Sequence, residues 1–186
     1  MDPRLENYVD LVRDITAESL PVDLMVPLIV NQAKMAFAEG FDLPPAQKVP
    51  EGGHHGRHLL YEDPCSGFVV IAMAWPVGGD SQPHDHGTWG VVGVLEGQIE
   101  LTEYEAASGS GGLKETAKVV AGPGGVAHVL PPNKDIHRMR NVSDSTTVTV
   151  HIYGKAIESC QAFDVETGET STITPTYTSV PEKQAS

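Results

Sequence analysis

His84 and His86 stand two residues apart in PHDHGTWGVVGVLEG, residues 83–97. In an extended strand, residues i and i+2 point to one face, so two imidazoles at this spacing can grip one metal ion. Imidazole suits Zn, Cu, Fe and Ni. An apolar run, residues 91–95, follows, and Gly97 ends it. A third histidine, His137, lies in IHRMRNVS, residues 136–143, with Asn141 four residues after it. A second polar set sits on TVTVHIY, residues 147–153, where Thr147, Thr149, His151 and Tyr153 alternate with Val148, Val150 and Ile152. The period of two places the polar residues on one face of a strand and the apolar ones on the other. A buried face of this kind needs a partner for every polar group. Such partners exist along the strand: the Thr149 hydroxyl can meet the imidazole of His151, and that imidazole can meet the Tyr153 hydroxyl. The bland alternative is a strand whose polar face meets water.

These motifs resemble a known family. Gly78, His84, His86 and Gly97 resemble the first motif of the cupin superfamily, and Gly125, Pro131, His137 and Asn141 its second, with residues 98–124 as spacer. The resemblance implies an all-β cupin fold, a double-stranded β-helix or jelly-roll barrel, here with a short N-terminal helical segment. It also makes His84, His86 and His137 the metal ligands. The Glu that most cupins carry seven residues before the closing glycine is Gly90 in this chain. Residues 57–153 further resemble the thiol dioxygenases, the cysteine and 3-mercaptopropionate dioxygenases. That resemblance implies one Fe(II) per chain and oxidation of a small thiol acid by O2 to its sulfinate. It implies a hydroxyl–His–Tyr relay, with Thr149 in place of the usual Ser, then His151 and Tyr153. It also places Arg57 on the substrate carboxylate, a pairing that suits the planar guanidinium fork. Mammalian-type relatives carry at position 90 a Cys that crosslinks to the active-site Tyr, and Gly90 excludes that bond. Gly there resembles the bacterial 3-mercaptopropionate enzymes, which pair it with Gln rather than Arg. Cysteine, 3-mercaptopropionate and a dicarboxylate such as mercaptosuccinate all stay open as substrates, the last helped by His58 or Arg138.

The ligand set has its own chemistry. Three neutral imidazoles leave a divalent metal with its full charge, which attracts an anionic soft donor such as a thiolate. A carboxylate at position 90 would cancel part of that charge. Zinc can occupy the same ligands but has no redox chemistry. Two other classes fit the cupin motifs: a different metal-dependent enzyme (a carbon–carbon-cleaving dioxygenase or an isomerase), and a cupin that binds metal or a small ligand without catalysis.

Composition bounds the rest. The 186 residues suit a single cupin domain with a real core: a helical cover over 1–41, a barrel over 57–165 and a tail over 166–186. With 12 basic against 25 acidic residues the formal charge is −13, which argues against nucleic acid as a partner. Two cysteines, Cys65 and Cys160, make no disulfide framework. The first ten residues are too charged for a signal peptide, and no apolar run reaches the roughly 20 residues of a membrane span, so a cytoplasmic protein is expected.

Elements must position these residues. Leu5, Tyr8, Val9, Val12 and Ile15 predict a helix over 4–16. Ser19 is a candidate cap for a second helix ending at Gly40, which Pro27 should kink or split. Both helices are expected to cover an outer sheet face. Residues 42–56 read as a Pro/Gly-rich loop, where His54 and His55 are more simply solvated than ligating. Strands are expected over 68–75, through the histidine pair, and over 98–104, 118–121, 126–130, 147–153 and 157–165. His128 falls outside both motifs and is assigned no metal role. Residues 106–112 read as a flexible tip, and residues 166–186 as a tail that wraps the surface or frays.

Overall fold

Two helices begin the chain. The first, α1 (Pro3–Ala17), starts where Asp2 accepts a hydrogen bond from the Arg4 amide (2.8 Å) and Pro3 takes the first turn. It buries the stripe Leu5, Tyr8, Val9 and Val12. The second, α2 (Val22–Glu39), runs unbroken through Pro27. Pro27 faces solvent, so the one hydrogen bond it removes leaves the Asp23 carbonyl open to water. Pro21, not Ser19, occupies the N-cap, and Ser19 takes a positive φ of 52° in the link between the helices. Gly40 ends α2 with φ 72°. The structure is a computed structural model that describes residues 1–107 and 111–181. Part of the tip expected over 106–112 therefore lies outside the described residues.

Ten strands follow among the described residues: β1 (Gly56–Glu62), β2 (Val69–Trp75), β3 (Gly90–Glu96), β4 (Ile99–Ala106), β5 (Leu113–Ala121), β6 (Val126–Val129), β7 (Ile136–Asn141), β8 (Thr147–Tyr153), β9 (Cys160–Phe163) and β10 (Thr170–Ile173). One antiparallel sheet has the order β1-β2-β8-β3-β6. The other begins β5-β4-β7. Residues 79–85 continue it as an irregular extended segment: His84 exchanges backbone hydrogen bonds with His137 (3.0 and 3.1 Å), and Asp85 and Pro83 bond across to Gln161 and Phe163 of β9, with β10 beyond. The histidine pair thus sits on single bridges, not on the regular strand its spacing suggested.

Packing follows the alternation of β8. Val148, Val150 and Ile152 turn outward, with Val70, Ala72 and Val91, against the helices. Burying each of these valines and Ile152 contributes roughly 1.5–3 kcal/mol. Gly93 admits α2 closely, because a Cβ there would lie 2.3 Å from the Phe37 ring. A second apolar cluster (Ile71, Met73, Trp75, Val94, Leu101, Met139) fills the space between the two sheets. Two sheets closed over one interior, strands arriving from both halves of the chain, make a cupin double-stranded β-helix. The polar alternates of β8 face that interior, and Thr147, Thr149 and His151 are buried there. The tail is more than a wrapping: residues 177–179 pair with β1, where the Thr178 amide donates to the Arg57 carbonyl (2.7 Å) and the Leu59 amide to Ser179 (2.9 Å).

Candidate metal centre

His84, His86 and His137 converge, with ligand nitrogens all within 4.8 Å of one another. Their ring centroids lie 4.6–5.0 Å apart. The opposite ring nitrogens of two of them are already engaged. His84 Nδ1 meets the Gln82 carbonyl at 2.8 Å, and His86 Nδ1 meets the backbone oxygen and Oδ1 of Asp135 at 3.0 Å each. An imidazole that donates from Nδ1 carries its lone pair on Nε2. Nε2 of His86 and of His137 is buried and has no hydrogen-bond partner among the described residues. A buried polar atom left unpaired costs about 1–3 kcal/mol, so two such atoms aimed at one point fit a metal ion. Burial, then the neighbouring His86, pushes the pKa of His84 down to about 3, and burial pushes that of His137 well below the usual imidazole range. Both rings therefore offer lone pairs at neutral pH.

Asp135 escaped the sequence reading. Its carboxylate also accepts from the amides of His86 (3.0 Å) and Gly87 (3.1 Å), so it fixes the histidine loop to the turn before β7. An acid two residues before His137 was the available signal, but nothing local connects it to residue 86.

The β8 relay forms. Thr149 Oγ1 and His151 Nε2 are 2.8 Å apart, and His151 Nδ1 and the Tyr153 hydroxyl 2.9 Å. The Tyr153 ring stacks on His86, with centroids 5.4 Å apart and planes 25° off parallel. Burial pushes the Tyr153 phenol well above its usual pKa, although Arg57 pulls the other way, so the hydroxyl keeps its proton. Gly90 pairs with Tyr153 across β3 and β8, and a Cβ there would lie 2.6 Å from the tyrosine ring. Position 90 is indeed beside the tyrosine, and no side chain fits there with the ring where it is. The two cysteines are both free: Cys65 is exposed in a turn, and Cys160 lines the cavity, its thiol pushed up by burial.

A cavity of about 540 Å³ is lined by all three of these histidines together with Arg57, His151 and Tyr153. Arg57 is 9% exposed, so it is a cavity residue and not a solvated one. Its guanidinium lies 5.2 Å above the Tyr177 ring, and one nitrogen reaches the Thr176 carbonyl at 3.5 Å. The side chain lines the cavity, and the guanidinium has no further hydrogen-bond or ion-pair partner among the described residues. Residues 173–176 and Thr178 of the tail form one wall, which no local pattern foretells. His54 is an exposed residue at the cavity's edge, and the His55 ring lies tilted against Trp75, centroids 4.7 Å apart, with its pKa pushed by burial down to about 4. Neither joins the three-histidine group, and His128 on β6 lies outside it too. His58 is turned away, bonded to Ser179 Oγ and the Val49 carbonyl, and Arg138 pairs with Asp80. Neither lines the cavity, so the second anion site considered for a dicarboxylate is not formed by them.

Residues 56–166 match the family model described as cysteine dioxygenase type I. Over 114 residues the chain is 28% identical to cysteine dioxygenase type 1 of Danio rerio, covering 59% of this chain and 56% of that protein. The chain thus spans about half the length of that curated relative. Among solved structures it is similar to an uncharacterized conserved protein with a double-stranded β-helix domain from Klebsiella pneumoniae (16% identity, 70% of this chain, 95% of that chain, TM-score 0.45). It is also similar to the Cnp3 cupin domain of Schizosaccharomyces pombe (15% identity, 55% and 61% covered, TM-score 0.43). No helix among the described residues is long and apolar enough to cross a membrane.

Proposed function

Since the chain belongs to the cysteine dioxygenase type I family, we propose that it is an iron-dependent thiol dioxygenase acting on a small thiol acid. The reaction is R–SH + O2 → R–SO2H: sulfur gives up four electrons, dioxygen takes them, and both oxygen atoms end on sulfur. Fe(II) held by His84, His86 and His137 would supply affinity for the thiolate and the redox chemistry of O2. The observation that carries the reading is the meeting, in one cavity, of two buried unpartnered Nε2 atoms, a guanidinium without a carboxylate partner among the described residues and a protonated tyrosine.

Arg57 binds the substrate carboxylate through its cavity-facing donors. The Tyr177 ring and the Thr176 carbonyl hold the fork in place. With one guanidinium lining the cavity, a monocarboxylate such as cysteine or 3-mercaptopropionate fits better than a dicarboxylate. Tyr153 donates a hydrogen bond to the anionic group bound beside His86, while His151 and Thr149 hold its hydroxyl at the right place. The setting proposed is the cytoplasm, where small thiols and free cysteines stay reduced.

The test is oxygen uptake by the iron-loaded chain with cysteine, 3-mercaptopropionate and cysteamine. One thiol acid should consume one O2 per sulfinate formed. Leaving a buried anion without its partner costs on the order of 2–5 kcal/mol. Arg57→Ala should therefore cut kcat/KM for that acid by roughly 30-fold or more, and spare the carboxylate-free cysteamine. No uptake with any thiol acid, or a protein that fills only with zinc, would leave a binding protein instead.

A further inference from the structure

The relay on β8 has one more member. Trp75, on the neighbouring strand β2, is 1% exposed, and its indole Nε1 donates to Thr149 Oγ1 at 2.9 Å. Trp75 and Thr149 lie near each other because β2 and β8 pair antiparallel, with Met73 opposite Thr149 and Trp75 opposite Thr147.

An indole N–H can only donate, whereas hydroxyls and imidazoles can take either part. Trp75 therefore breaks the symmetry of the chain. Thr149 Oγ1 must accept from Trp75, which leaves its own hydrogen to place. Thr149 is 0% exposed, and its one other side-chain partner among the described residues is His151 Nε2 at 2.8 Å. If His151 carried a proton on Nε2, the Thr149 hydrogen would be buried without an acceptor, and a buried donor left unpaired is rare. The hydroxyl thus donates to Nε2. A neutral ring with Nε2 accepting holds its proton on Nδ1, and Nδ1–H donates to the Tyr153 oxygen at 2.9 Å. The Tyr153 hydrogen is then free to point into the cavity.

We infer that Trp75 is a positioning residue that sets the direction of this hydrogen-bond chain: it fixes His151 as the Nδ1–H tautomer and makes Tyr153 a donor toward the cavity. Without the indole, a water can enter the space it leaves and accept the Thr149 hydrogen, and Oγ1 can then accept from Nε2–H. Nδ1 would then accept the Tyr153 proton, and the tyrosine would show the cavity a lone pair instead of a hydrogen. The anionic group proposed to bind beside Tyr153 is met by a hydrogen in one arrangement and repelled by a lone pair in the other. That catalytic consequence rests on the thiol dioxygenase reading, but the tautomer does not.

The tautomer is measured directly. The full chain, labelled with 15N-histidine and loaded with diamagnetic zinc, should show His151 with a protonated Nδ1 and a bare Nε2 in long-range 15N–1H correlation spectra. Trp75→Phe keeps an aromatic ring and removes the donor, and it should shift population to the Nε2–H form. Thr149→Val, nearly the same shape without a hydroxyl, should do so too, while Thr149→Ser should keep the wild-type pattern. In the iron-loaded protein, Trp75→Phe should lower kcat about 10-fold, with KM for the thiol acid within about threefold, as expected for a lost transition-state contact. A wild-type His151 protonated on Nε2 would overturn the inference, and so would a tautomer that does not change in a folded Trp75→Phe variant. The wild-type spectrum alone decides the point if Trp75→Phe does not fold. A wild-type tautomer as expected, with turnover unaffected by Tyr153→Phe, would sink the functional reading and leave the assignment of the chain standing.

Discussion

At position 90 the Tyr153 ring takes the space that a side chain would need. A Cβ would sit 2.6 Å from Tyr153 Cδ1, 2.7 Å from Cε1 and 3.1 Å from Val129 Cγ2. The tyrosine ring cannot retreat freely, because it stacks on His86 and its hydroxyl is tied to His151. Gly90→Ala should therefore cost about 1–3 kcal/mol of stability by overpacking, and it should move the hydroxyl. A shift near an ångström at a reacting group costs on the order of 100-fold in rate. The expected result is a stable protein with metal content unchanged and kcat down by about 10- to 100-fold. Thermal melts, metal analysis and turnover on one preparation check it. Unchanged kcat would mean that the ring moves without consequence and that the tyrosine is a packing residue.

At the scale of elements, the turn between β1 and β2 joins the helical cover to the barrel through one carboxylate. Asp63 is 1% exposed and accepts from Arg13 Nε (3.0 Å), the Tyr61 hydroxyl (2.9 Å), the amides of Cys65 (3.1 Å) and Ser66 (2.7 Å), and the Ser66 hydroxyl (2.8 Å). Burial acts to raise its pKa, but the bonds from Ser66, Tyr61 and Arg13 outweigh burial and hold the carboxyl well below the usual range. Asp63→Asn keeps the shape, removes the charge and turns an acceptor into a donor. It should cost about 2–4 kcal/mol, less than a fully buried pair because Arg13 is partly in water, read as a lower urea midpoint at constant slope. The sign of the pH effect follows from the depressed pKa. The Asp63 contribution is complete above the unfolded value near 3.9 and fades as pH falls toward the folded value. The gap between wild type and Asp63→Asn should be full at about pH 6 and narrow below about pH 4. A gap that stays constant to pH 2 would place the stabilisation in shape rather than charge. Much of this level was legible in the sequence where the signal is local. The period of two on β8 revealed which residues share its buried face, and the apolar stripe of α1 gave its inner side. Asp63 to Arg13, Asp135 to His86, Trp75 to Thr149 and the tail against Arg57 were not legible. Each joins residues far apart in the chain, and no local period records which strand lies beside which.

At the scale of the whole molecule, the candidate metal centre is where the two sheets face each other. His84 and His137 belong to the sheet of β4 and β7, while His151, Tyr153 and Arg57 belong to the sheet of β1, β2 and β8. An ion bound to the three imidazoles ties residues 84–86 to β7, and it satisfies two nitrogens that the folded chain leaves buried and unpaired. The unfolded chain scatters these ligands, so metal binding should appear as folding stability. At a free metal concentration 100 times the dissociation constant, the gain is about 2.7 kcal/mol. For a chain of this size, each kcal/mol moves the melting temperature by about 2–4 °C. Fe(II) under anaerobic conditions, or zinc, should thus raise the melting temperature by about 5–10 °C, saturating at one ion per chain, and a chelator should reverse the gain. His137→Ala should abolish the rise and most of the bound metal, because two imidazoles on one loop do not join the sheet edges. His128→Ala should leave both intact. If His137→Ala still binds one ion with a full rise in melting temperature, the third ligand is elsewhere. The unpaired Nε2 of His137 would then be a strained core atom and not part of a metal site.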